Sequence, residues 1–357
     1  MTTRILLDRY VYEDIYPAFK ANTDEKEVTA RITSGFLNEL SRKNLVLTGD
    51  MPAAVADIGC GPCDTLVKYL TGVSFPSGFV VRATDYLDEY AHEERGEALK
   101  TLAAAHANKL IKLASFASHA GDAFGGKILD LLSGKPDEDR LRNQFRIVFV
   151  SHLIYHGGSP AQVRGMLSGV ANDLLAPDAI CMLFHIANTP RTFQDFRFRF
   201  GGETDAHSDS NTGAVTIDDP PARIRAASRE LGLPSYEAEF VASLRFSKLG
   251  NDEWDAFKDP RRYDAIATSN PDAYEDLKRL YFVVQRAPLK FAADRSLRGL
   301  DTYIDEVRSA IEANNAVLPM MESIQIFTRP DAAPGLAQEI PGALANNINA
   351  VAGRASA

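Results

Sequence analysis

Two rhythms of apolar and polar positions run along this chain. Before residue 50, Val28, Ile32, Phe36, Leu37 and Leu40 recur at helical spacing, and Asn22 with Glu25 three positions on has the form of a capping box. The spacing predicts an N-terminal helical layer. Short apolar runs then follow one another with helical stretches between them: "AAVADIG", "GFVVRATD", "KLIKLASF", "FRIVFVS" and "AICMLFHIA". Runs of this length suit strands covered on both faces. Strand and helix in steady alternation predict a doubly wound α/β fold with right-handed crossovers.

Beyond the fifth run the order changes. "RFGGETDAHSDSNTG" is polar and glycine-rich, "PARIRAASRELGL" is helical, and "YEAEFVASLRFS" alternates like a strand. A long helical stretch over 250–318 precedes a last strand, "ESIQIFTR"; within it Leu300, Tyr303, Ile304, Val307 and Ile311 form one amphipathic face. This stretch reads as an insertion between the last two of seven strands in a mostly parallel sheet. The expected organisation is an N-terminal helical layer or substrate lid over 1–50, a ligand-binding core over 51–249, a helical insertion forming part of a substrate pocket over 250–320, the last core strand over 321–330, and a loosely attached, flexible tail over 331–357.

Composition narrows the function. Thirty-nine Lys and Arg against 48 Asp and Glu leave a formal charge of -9, and without a long basic run nucleic acid is not the expected partner. No stretch of eighteen uninterrupted apolar residues occurs and the start meets acids and tyrosines early, so no membrane span or signal peptide is expected and the cytoplasm is the expected location. Cys60, Cys63 and Cys181 are the only cysteines. Three are too few and too odd for a disulfide framework, and two close cysteines supply half a zinc site, so no metal is expected.

The chemistry concentrates in "DIGCGPCD", residues 57–64. Cys-Gly-Pro-Cys suggests a dithiol centre, yet the strand runs directly into Cys60 and the only tryptophan, Trp254, is far along the chain. The glycine reading accounts for more residues. Gly59 and Gly61 allow a sharp turn and close approach of a ligand to the backbone, and the helix that follows points free N–H groups at an anionic group. The next strand ends at Asp85, where a carboxylate can accept ribose hydroxyls. A dinucleotide turn needs a small residue three positions after the second glycine, where this chain has Asp64. Asp57 and Asp64 suit a ligand carrying an ammonium and a sulfonium better than a pyrophosphate.

In these residues the chain resembles the class I S-adenosylmethionine-dependent methyltransferases, whose glycine turn is usually Asp/Glu-x-Gly-x-Gly-x-Gly; Cys63 stands in place of the third glycine. The resemblance implies a Rossmann-like core, with Asp57, Gly59 and Gly61 lining the cofactor site, Asp85 on the ribose and Asp122 of "SHAGDAF" near the adenine. It extends, in architecture more than in identities, to the histamine N-methyltransferase-like branch, through "YVYEDIYPAFKANTDE" and the long insertion. That likeness implies a small-molecule acceptor, an amine or an aromatic metabolite, with Glu25 on the substrate and Tyr12, Tyr16 and Phe19 as an aromatic wall.

Ligands of open α/β sheets bind beyond the carboxyl ends of the strands, which directs attention to "SHLIYHGG" after the fourth strand. Ser151 is expected on the cofactor, His152 and Tyr155 in catalysis, and His156 on the substrate. Each has a structural alternative: Glu25 as capping partner of Asn22, the histidines as hydrogen-bonded loop residues, the aromatics as core. The expected activity is methyl transfer from S-adenosylmethionine to nitrogen or oxygen, giving S-adenosylhomocysteine. A nicotinamide-dependent oxidoreductase and a non-catalytic binding protein on the same fold are the alternatives.

Overall fold

The computed structural model describes residues 15–125, 127–134, 141–151, 153, 159–187, 189–196, 220–247, 249–258, 262–284 and 299–355. The elements in chain order begin with helices α1 (Tyr16–Asn22) and α2 (Glu25–Arg42), β1 (Ala53–Ile58), α3 (Asp64–Thr71), β2 (Phe79–Asp85), α4 (Asp88–Ala91), α5 (Glu97–Ala107), β3 (Leu113–Ala120), α6 (Ile128–Ser133) and β4 (Phe145–Ser151). They continue with α7 (Pro160–Gly169), β5 (Leu175–Ile186), α8 (Pro220–Glu230), β6 (Ser235–Arg245), α9 (Asn251–Phe257), α10 (Tyr263–Ser269), α11 (Pro271–Val284), α12 (Leu300–Ala313), β7 (Val317–Phe327) and α13 (Pro334–Ala355).

The seven strands form one sheet in the order β3-β2-β1-β4-β5-β7-β6. β3, β2, β1, β4 and β5 are parallel neighbours throughout, and the whole sheet is mixed but mostly parallel. Strand order reverses between β1 and β4, the arrangement of doubly wound nucleotide-binding sheets. The expected Rossmann-like α/β fold is therefore present. β7, the last strand made, is inserted between β5 and β6.

Two compact units divide the chain. The core unit comprises Lys26–His185, Pro220–Phe240 and Ser323–Ala357. Its strands send alternate residues into two apolar layers, as the period-two geometry of a strand requires. Val55, Ile147, Phe149, Met182 and Ile324 join residues of α2, α3, α5 and α13 in one layer; Ala56, Ile58, Val148, Val150 and Leu183 join those of α6, α7 and α8 in the other. At the start of α7, the Ser159 hydroxyl accepts the Gln162 N–H at 3.3 Å and the Gln162 side chain accepts the Ser159 N–H at 2.8 Å, a complete capping box with Pro160 in the first turn.

The C-terminal segment departs from the sequence expectation. It is a 22-residue helix, not a loose tail. Leu336, Ile340, Ala343 and Leu344 sit in the first apolar layer, and Asn347 Nδ2 donates to Glu39 of α2 at 3.0 Å. Pro341 and the glycines Gly335, Gly342 and Gly353 make the segment look unlike a helix in sequence, while its apolar stripe keeps helical spacing.

The helical unit comprises Met1–Glu25, Ile186–Asp219 and Val241–Glu322. The stretch grouped in the sequence as one N-terminal layer thus divides after Glu25. Trp254, Phe257, Leu280, Ile304, Val307 and Met320 share its apolar centre, and the Tyr303 hydroxyl donates to the carbonyl of Phe196 at 2.6 Å. Among the described residues no helix is long and apolar enough to cross a membrane, and no group of three or more His, Cys, Asp or Glu is arranged to hold a metal ion.

Candidate active site

The site lies in the core unit, at the carboxyl ends of β1, β2 and β4. β1 ends at Ile58 and the chain turns through Gly59 at φ +74° and Gly61 at φ +49°, a region that glycine enters without steric cost. The turn is pinned to β2, because the N–H groups of Gly59 and Cys60 both donate to the Thr84 carbonyl, at 2.8 and 3.0 Å. A Cβ on Gly59 would come within 3.2 Å of the Leu153 side chain, whereas one on Gly61 would meet no atom within 4 Å. The first glycine is thus required by packing and backbone, the second by the shape of the turn, with open space above it.

Asp85 closes the arrangement from the end of β2. Its Oδ2 accepts the Gly61 N–H at 2.8 Å and its Oδ1 accepts the Leu87 N–H at 3.0 Å. Asp57, on β1, is buried, and its carboxyl is pushed up to about 7, first by burial and then by the charges of Asp85 and Asp64; Lys26 opposes the shift. Lys26 Nζ lies 3.3 Å from the Asp64 carboxylate. The turn therefore gathers three carboxyl groups around one ammonium group, a surplus of negative character that favours a cationic ligand.

Two further sequence candidates of this unit, Asp122 and Ser151, fall around the same strand ends. Gly121 N–H donates to the Asp85 carbonyl at 2.8 Å, which sets Asp122 beside the end of β2, and Asp122 Oδ1 accepts the Phe124 N–H at 2.8 Å. Ser151 ends β4 one residue beyond Val150, the partner of Ile58. Its hydroxyl oxygen is buried and has no hydrogen-bond partner among the described residues, and neither has Thr84 Oγ1. Buried hydroxyls are normally satisfied, so these two orphans fit a missing ligand or water. His152, Tyr155 and His156 lie outside the described residues, as does Tyr12.

Tyr16, Phe19 and Glu25 belong to the helical unit. Tyr16 and Phe19 stand in an aromatic group with Phe193 and Phe282, the Phe19 and Phe282 centroids being 4.4 Å apart. Phe19 is buried in the apolar centre and Tyr16 packs at its margin. Glu25 is not the capping partner of Asn22. Asn22 Nδ2 turns back to the Ala18 carbonyl at 2.8 Å, and the Glu25 N–H donates to Thr23 Oγ1 at 3.2 Å. Asn22 ends one helix instead of starting the next. Thr23 Oγ1 also reaches Met320 Sδ at 3.4 Å, and two residues along the same face of β7 is Glu322, 1% exposed. Its carboxyl is pushed well up by burial first and then by the charge of Glu25.

Sequence reasoning missed Lys26, Thr84, Leu153 and Glu322. Thr84 had a usable signal as the neighbour of Asp85. Lys26 and Glu322 acquire their roles from residues far away in the chain, which no local pattern records.

No protein-family model and no curated protein matches the chain. Among solved structures it is similar to the YcgJ protein from Bacillus subtilis at 13% identity, over 82% of this chain and 98% of that one, with a TM-score of 0.39. It is also similar to phosphoethanolamine N-methyltransferase 2 from Haemonchus contortus, solved in complex with S-adenosyl-L-methionine, at 12% identity, over 92% of this chain and 60% of that one, with a TM-score of 0.36. Likeness this distant says nothing about ligand or reaction, so the chemistry of the site rests on its own residues.

Proposed function

We propose that this chain transfers a methyl group from S-adenosylmethionine to a nitrogen or oxygen of a small molecule. The observation that carries the reading is the glycine turn at the point of strand reversal, with Asp85 held on Gly61 N–H at 2.8 Å and Asp57 and Asp64 beside it. Here a pyrophosphate would meet three carboxyl groups. A ligand with an ammonium and a sulfonium group is attracted by them.

When bound, S-adenosylmethionine supplies an electrophilic methyl carbon on its sulfonium sulfur. The residues of this chain bind and orient. Gly59 and Gly61 keep the turn clear of side chains, and Asp57 and Asp64 favour the ammonium group. Each Asp85 oxygen, after accepting one backbone N–H, keeps lone-pair capacity for a ribose hydroxyl. Asp122 is assigned to the adenine side, and the hydroxyl of Ser151, without a partner among the described residues, to the donor. His152 and Tyr155 are assigned to orienting the acceptor, since holding it about 3 Å from the methyl supplies much of the rate in a displacement of this kind. Tyr12, Tyr16, Phe19, Glu25 and His156 are assigned to the acceptor itself.

Calorimetry with S-adenosylmethionine and, separately, NAD tests the reading directly. Binding of the first and not the second is expected, followed by S-adenosylhomocysteine release when a library of amines and phenols is added. Folded protein that binds neither, or only NAD, removes the proposal.

A further inference from the structure

The turn that leaves Gly61 open also brings two thiols together. The Cys63 N–H donates to the Cys60 carbonyl at 2.9 Å. A four-residue turn of this kind keeps its end Cα atoms within about 7 Å, against the roughly 4.4–6.8 Å that a disulfide spans. The two thiols are close enough to shift each other's protonation, and the Cys60 thiol donates to the Gly61 carbonyl at 3.2 Å. Both cysteines are free thiols in one apolar cluster. Cys63 holds φ +59°, a left-handed position that glycine would fill at lower cost, so the backbone itself asks for no side chain there.

We infer that Cys60 and Cys63 are an oxidative modification site, closing to a disulfide in exchange with a small-molecule disulfide such as oxidised glutathione, and that this closure and donor binding oppose each other. The inference rests on the reading of the turn as the donor site. In the exchange, the Cys60 thiolate attacks one glutathione sulfur and a glutathione thiolate leaves. The Cys63 thiolate then attacks the Cys60 sulfur and expels the second glutathione. The two cysteines lose two electrons, the oxidant gains them, and the two thiol protons end on glutathione.

Gly61 couples the two events. Its carbonyl accepts the Cys60 thiol hydrogen while its N–H donates to Asp85 at 2.8 Å. A disulfide has no hydrogen to give to that carbonyl, and it draws the sulfurs to about 2.05 Å. The Gly61 peptide must readjust, and the grip of Asp85 with it. Coupling of this sort is reciprocal, so a bound donor slows closure.

Burial sets the pace. Cys60 is 7% exposed and Cys63 is fully covered, which makes Cys60 the point of first attack. The contact with Cys63 and burial push the Cys60 thiol well up; on Cys63 the contact with Cys60 acts downward, but burial and the charges of Asp57, Asp64 and Asp85 outweigh it. Thiolate is therefore scarce at neutral pH, and closure quickens in alkali.

The test uses the full chain, incubated at alkaline pH with oxidised glutathione in the presence and absence of saturating S-adenosylmethionine. Peptide mapping by mass spectrometry is expected to find Cys60 linked to Cys63, more slowly with the donor present. Calorimetry is expected to show donor affinity reduced about tenfold or more, within the range of coupled sites, and restored by dithiothreitol. Cys60→Ser is expected to give no linked peptide and an affinity indifferent to the oxidant, whereas Cys181→Ser responds as the parent does. Glutathione stranded on Cys60, no link after prolonged oxidation, or a linked protein of undiminished affinity each overturn the inference. Reduced protein that binds no donor overturns the functional reading and the opposition with it, and the linked peptide then decides alone whether the site exists.

Discussion

Asp85 reaches back across the strand ends to Gly61, its Oδ2 accepting the glycine N–H at 2.8 Å. One carboxylate thereby fixes the shape of the turn and keeps free lone pairs beside it, so the residue that holds the loop is also the one proposed to bind the ribose. Structure and binding are hard to separate at such a position, and two measurements are needed.

Asp85→Ala is expected to weaken S-adenosylmethionine binding by at least tenfold and to lower the melting temperature, since hydrogen bonds to a charged group contribute about 1.5–3 kcal/mol. Asp85→Asn retains an acceptor oxygen and should recover part of the stability but less of the affinity. An Asp85→Ala protein that melts lower yet binds the donor unchanged would limit the residue to shaping the turn.

Ser151→Ala separates the same roles in the opposite way. The hydroxyl is buried and unsatisfied among the described residues, so its removal should leave stability against urea unchanged or slightly higher. Donor affinity should nonetheless fall several-fold. Unaltered affinity in a protein of equal stability would take Ser151 out of the site.

Asp57 gives the fold a pH dependence of defined sign. Its carboxyl is raised from 3.8 to about 7, so the folded chain holds a proton that the unfolded chain releases. That contribution is complete below the unfolded value and is lost as pH rises through the folded one. Asp57→Asn should therefore flatten the decline in stability over roughly pH 4 to 7, by an amount on the order of a few kcal/mol, while weakening donor binding. Parallel stability curves for the two proteins would refute the assignment.

The C-terminal helix should behave as core. Ile340→Ala removes a fully buried side chain and is expected to cost about 2–4 kcal/mol in urea unfolding. A cost near zero would return residues 334–355 to the loose tail that the sequence suggested.

How much of this was legible varied with how local the cause is. β1 and β4 match their apolar runs almost to the residue, because interior parallel strands are apolar on both faces. β3 does not: the run "KLIKLASF" straddles its start, Leu110 is exposed, and the strand at Leu113–Ala120 lies at the sheet edge, where small polar residues suffice. α13 was missed because Pro341 and the interior glycine Gly342 argue against a helix there, hiding a stripe that Leu336, Ile340, Ala343 and Leu344 nonetheless mark at helical spacing. In the site, Asp57, Gly59, Gly61 and Asp85 could be read because each follows from a strand end or a turn. Lys26, which meets Asp64 from 38 residues away, and Glu322, set against Glu25 from the far end of the chain, depend on the folded path.

That folded path also bears on how the molecule is made. Among the described residues the only strand that pairs with β6 is β7, apart from a single bridge between Leu244 and Thr23, and β7 is drawn from nearly the last tenth of the chain. During synthesis the half of the sheet that carries the glycine turn can assemble early from neighbouring segments, while β6 emerges and must wait for its partner strand through the whole of the intervening helices. Nascent chains halted before Val317 should accordingly carry a formed glycine turn and an unfinished sheet, and would be the species most in need of a chaperone.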